Sequence, residues 1–148
     1  MSWTSYLADR KVQHHKTSRK ELEELRAVVE RDLADAALPE LSADRKFATA
    51  YNAALQLSKM AVACAGYRVT SGTGHHQHTF EVVRLALGRD SSPLADYFDT
   101  CRRKRNAIDY DLAHVASETE AEELLEKARE FQQLVEKWIK KHHPDLAL

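Results

Sequence analysis

The chain has 148 residues, of which 43% are hydrophobic and 30% charged, with a formal net charge of −1. That length suits one domain with a real core, and the apolar content excludes a disordered tail. Twenty-two basic residues against twenty-three acidic ones exclude a globally basic nucleic-acid binder but not a local basic patch.

Residues 1–17 read as a basic N-terminal arm. From Asp9 to Lys20 there are five Lys or Arg residues and one acidic residue, with Trp3 and Tyr6 ahead of them. Such a segment is either mobile, as undocked termini are, or laid against a partner or nucleic acid. The stretch 18–143 reads as one helical domain. Leu22, Leu25, Val29, Leu33 and Ala36 recur at helical spacing, Ser18 and Glu21 form a capping-box pattern, and Pro39 follows. Ser42 or Asp44 opens a second helix whose buried side is Phe47, Tyr51, Ala54, Leu55, Ala61 and Val62, with Gly66 as its stop.

Thr70–His78 reads as a flexible loop, followed by a short helix over 79–87 that ends at Gly88. Pro93 suits the first turn of a fourth helix. A fifth runs from about Thr119 to Lys141, with Ala121, Leu124, Ala128, Phe131, Val135 and Trp138 apolar. Few Gly and Pro, abundant helix formers and no convincing strand alternation make the expected class all-α. Cys64 and Cys101 make neither a disulfide framework nor a metal quartet, which fits a reducing compartment. No apolar run approaches the eighteen or so residues of a membrane span, and MSWTSYLADRKVQHHK lacks the apolar region of a signal peptide. The expected setting is therefore the cytoplasm, with no membrane association.

The fourth helix carries the most informative residue. Leu94, Phe98, Cys101, Arg105, Ile108 and Leu112 form a seam spaced by fours and threes, and Arg105 stands where an apolar residue belongs. A guanidinium there must be paired, hydrated in a cleft or placed at a subunit interface. On an ideal helix Asp109 lies about 40° from it, Arg102 about 60°, Asn106 about 100° and Tyr110 about 140°. With Arg103 and Lys104, this arc offers charge-assisted hydrogen bonds to a phosphodiester. The competing reading is a structural Arg105–Asp109 ion pair supported by Asn106.

At RRKRNAIDYD the chain resembles the HEPN superfamily (higher-eukaryote and prokaryote nucleotide-binding domains). DRKFATAYNAALQLSKMAVACAGYR resembles that family's second helix and GHHQHTFEVV the segment after it, so the likeness covers about residues 40–140. The resemblance implies an up-and-down bundle of four to five helices, often homodimeric. It also implies a metal-independent endoribonuclease site built on an Arg-Asn-x-x-x-His motif, two copies of which meet in a cleft across the dimer. Members are frequently toxins partnered by a nucleotidyltransferase or another antitoxin.

Carried over by position, Arg105 and Asn106 match the motif, and Tyr110 stands in place of its His. Arg105, Asn106 and Tyr110 are then the expected catalytic positions, with Arg102, Arg103, Arg105 and Asp109 at the phosphate. Cleavage of RNA is best served by a group with a pKa near 7, and a phenol near 10 suits that role badly. Phosphate binding survives the substitution better than catalysis does. His75, His76 and His78 read as a solvated loop, as a weak metal cluster, or as the source of the missing base from a neighbouring helix. No metal and no cofactor are expected. The functional expectation is an RNA- or nucleotide-binding protein of a toxin–antitoxin or defence setting. The alternative is a non-catalytic dimerisation module whose polar seam fixes register.

Overall fold

The computed structural model describes residues 2–110 and 112–148. It is mostly helical, in the order α1 (Trp3–Ala8), β1 (Val12–His14), α2 (Arg19–Ala36), α3 (Ala43–Cys64), β2 (Tyr67–Val69), α4 (His75–Leu87), α5 (Ser92–Asp109) and α6 (Glu118–His142). Single 3-10 turns precede α5, at Arg89–Ser91, and follow α6, at Pro144–Leu146. No helix among the described residues is long and apolar enough to cross a membrane.

The bundle is built around α3, which is packed by α2, α4, α5 and α6. Ala50, Ala53, Ala54 and Ala61 are fully buried and let neighbouring helices approach closely. Phe98 joins the layers, with ring centroids 6.0 Å from Phe80 of α4 and 5.1 Å from Phe131 of α6. The expected apolar faces of α2, α3 and α6 are the buried ones, except that Leu25 is only partly buried and that Ile139 rather than Trp138 fills the last core position of α6. Cys64 and Cys101 are free and buried.

Helix starts follow side-chain caps. Ser18 accepts from the Glu21 N–H at 3.1 Å and Ser42 from the Arg45 N–H at 3.2 Å. The expected capping box at Ser18 forms only in half, because the Glu21 carboxylate turns instead to the Thr17 hydroxyl and His15. A complete box opens α6, between Ser117 and Glu120. Gly66, at φ +97°, follows the α3 C-cap in the left-handed region that glycine tolerates.

Three expectations need correction. Residues 3–14 are not a mobile arm: α1 docks, β1 pairs antiparallel with β2 in the register Val12↔Val69, and Tyr6 and Val12 enter the core. Trp3 stacks flat on Tyr67 with centroids 4.0 Å apart. The segment 75–78 is not loop, because α4 begins at His75 behind Gly74, whose φ of +81° turns the chain into the helix. Finally, α5 stops at Asp109, so Tyr110 leaves the polar arc and Leu112 the apolar seam, and they are exposed at 81% and 58%. There the connection to α6 is tied back to α3, with Asp44 accepting from the Val115 and Ala116 N–H groups at 3.0 and 2.8 Å.

Candidate functional site

Arg105 lies on α5 where the apolar seam meets solvent, and a quarter of its side chain is exposed. One of its nitrogens is 2.6 Å from Asp109 Oδ2, across one helical turn. Its guanidinium carbon sits 5.5 Å from the ring centroid of Tyr51, a cation–π contact. Tyr51 comes from α3 and is fully buried, edge-on to Phe80. Its hydroxyl is 3.3 Å from Nδ1 of His76 in the first turn of α4. Three helices thus bring Arg105, Tyr51 and His76 together.

Positive charges surround His76, although Arg105 and Arg102 are each paired with a carboxylate. Burial pushes His76 down to about 4, and the charges of His75, Arg105, Lys59 and Arg102 act in the same direction. Its imidazole is therefore neutral near pH 7. Burial pushes the Tyr51 phenol well above its ordinary value, against the opposing pull of Arg105 and Arg102, so it remains protonated. Arg102 is held 3.1 Å from Asp99, one turn back on α5. A preformed cation beside a neutral imidazole is suited to an anionic ligand that also presents a proton to be moved.

The expected residues divide between inside and outside this cluster. Arg102, Arg105 and Asp109 are part of it, and His76 joins it from α4. Asn106 follows Arg105, is half-buried, and makes no side-chain hydrogen bond among the described residues. Arg103 is exposed, while Lys104 turns to Glu120 on α6. Tyr110 stands at the helix end, outside the cluster. His75 packs edge-on to His76 at 4.3 Å and bonds the Gly72 carbonyl through Nδ1 at 3.0 Å. His78 has no side-chain hydrogen bond among the described residues. No group of three or more His, Cys, Asp or Glu among the described residues is arranged to hold a metal ion.

Tyr51 and Lys59 are the members that the sequence reading did not single out. Tyr51 appeared there only as a core position of the second helix. Its signal was the hydroxyl: a phenol on an otherwise wholly apolar face must find a polar partner. No family model matches the chain, and neither a curated protein nor a solved structure matches it.

Proposed function

We propose that the protein binds RNA or a nucleotide through a phosphate held at Arg105, as an atypical HEPN-type protein in which His76 supplies the imidazole that the motif position lacks. The observation that carries this reading is the sharing of Tyr51 by a partly exposed guanidinium and a neutral histidine. With its proton on Nδ1, donated to the Tyr51 hydroxyl, His76 keeps a lone pair on Nε2 to act as a base, a weak one at a pKa of about 4 until a bound phosphate offsets the positive charges around it.

Cleavage on this geometry needs no metal. Nε2 takes the proton of a ribose 2′-hydroxyl as that oxygen attacks phosphorus, and Arg105 stabilises the charge gathering on the phosphoryl oxygens. The bond to the 5′-oxygen breaks, that oxygen takes the proton back from His76, and a 2′,3′-cyclic phosphate remains. In this reading the protein is a cytoplasmic homodimer of a toxin–antitoxin or defence system, with a nucleotidyltransferase or other antitoxin as its partner.

The test is binding and cleavage of mixed single-stranded and transfer RNA by purified protein in EDTA. Wild-type binding should weaken as salt rises. Arg105→Ala should lower affinity roughly 10- to 100-fold, as loss of a charge-assisted contact does, with an unchanged far-ultraviolet spectrum. His76→Gln should bind RNA and fail to cut it. Undiminished RNA binding by folded Arg105→Ala would rule the reading out.

The Arg105–Asp109 pair favours a second reading, in which this seam is a structural register for self-association. Arg105→Ala would then change the oligomeric state in sedimentation and leave RNA binding untouched.

A further inference from the structure

A cleft of about 510 Å³ opens beside α4, between α2, α3 and β2. It falls within the size range of sites for small molecules. Leu25 and Val62 give it apolar walls, and Tyr67 adds an aromatic face fixed in orientation by the stacked Trp3. Lys59 and Arg68 also line it, and neither side chain makes a hydrogen bond or ion pair among the described residues, although the charge of Arg68 reaches Glu21.

The cleft thus holds more positive than negative side chains. A half-buried lysine without a counter-ion loses hydration and receives nothing in return. Burial accordingly lowers the Lys59 pKa. The carboxylate in the cleft, Glu21, is already engaged, accepting from the Thr17 hydroxyl at 2.6 Å and lying 2.8 Å from His15 Nε2. His75, the first residue of α4, lines the same cleft, and no side chain caps that positive helix end.

We propose that the cleft binds a small organic anion, a carboxylate or phosphate monoester on a flat apolar body, with Lys59 as its counter-ion and Tyr67 and Val62 against the body. The anion supplies the partner that Lys59 lacks, and the apolar walls exclude water from the pair, which strengthens it. This site adjoins the Arg105 cluster, with Lys59 and His75 between the two, and its argument stands without the RNA reading.

Calorimetric titration with 2-naphthoate, 2-naphthyl phosphate and the neutral 2-naphthamide tests it. At least one of the anions should bind with a Kd in the micromolar range, and the tighter of the two identifies the preferred head group. The amide should bind at least about tenfold more weakly. Lys59→Met, which keeps an apolar stem of similar length, should bring the anion to the level of the amide. Arg68→Gln, at an exposed position and safe for folding, should weaken it several-fold. Arg105→Ala should leave it unchanged. Equal binding of amide and anions, wild-type affinity in both charge-removing variants, or no binding of either anion at millimolar concentration would overturn the proposal.

Discussion

His76 is held neutral by burial first and by the positive charges around it second, and this ties its protonation to folding. In the unfolded chain its pKa is near 6.5, whereas in the native protein it is about 4. Between those values the unfolded state binds more protons, so stability rises with pH. The contribution is fully present above about 6.5 and is lost as pH falls toward 4. Discounted for partial exposure, it amounts to about 1–2 kcal/mol. The groups facing His76 are His75 on α4, Lys59 on α3, and Arg102 and Arg105 on α5. Two carboxylates with depressed pKa values, Glu21 and Glu120, titrate below 4.5, so the interval from 4.5 to 6.5 reports mainly on His76. Urea midpoints across that interval should slope upward with pH in the wild type and be nearly flat in His76→Gln.

Between elements, the tie that matters most for α2 and α6 is Arg26 with Glu136. The guanidinium donates to both carboxylate oxygens, at 2.8 and 2.9 Å, and also to the Leu146 carbonyl at 2.8 Å, and Arg26 is buried. Glu136→Ala would leave that cation desolvated and half-satisfied, at a cost of about 3–5 kcal/mol. Urea unfolding should show the loss, and a double variant with Arg26→Met should recover part of it. Elements of this length were legible in the sequence, because a dozen or more residues at helical spacing declare their buried face. Their ends were less so. The Asp44 carboxylate that receives the chain after α5 lies some seventy residues earlier, so no local signal stops that helix before Tyr110. Gly74 opens α4 without a capping side chain, which made its histidines read as loop. Strands of three residues are too short to show alternation. Arg105 was legible because it broke a pattern, whereas Tyr51 fitted the pattern and its role appeared only with its neighbours.

For the molecule as a whole, the N-terminal segment closes the structure. Tyr6 donates to Glu81 on α4 at 2.8 Å, Trp3 covers Tyr67, and β1 holds the edge of β2. A chain beginning at residue 16 should lose several kcal/mol, since burial of Tyr6 and Val12 alone is worth about 1.5–3 kcal/mol each. Thermal unfolding followed by circular dichroism should show a lower midpoint with little change in helix content. Because Tyr67 and Arg68 line the cleft beside α4, the same truncation should weaken binding of the organic anion.

The pairing of Val12 with Val69 also sets an order of events during synthesis. The first strand leaves the ribosome long before its partner exists, and at 5–20 residues per second the delay is on the order of seconds. Throughout it Trp3, Tyr6 and Val12 have no surface to meet, while α2 and much of α3 already carry the apolar faces they bury against each other. Until β2 emerges, residues 3–14 therefore stay unpaired, with Trp3, Tyr6 and Val12 exposed and open to chaperones.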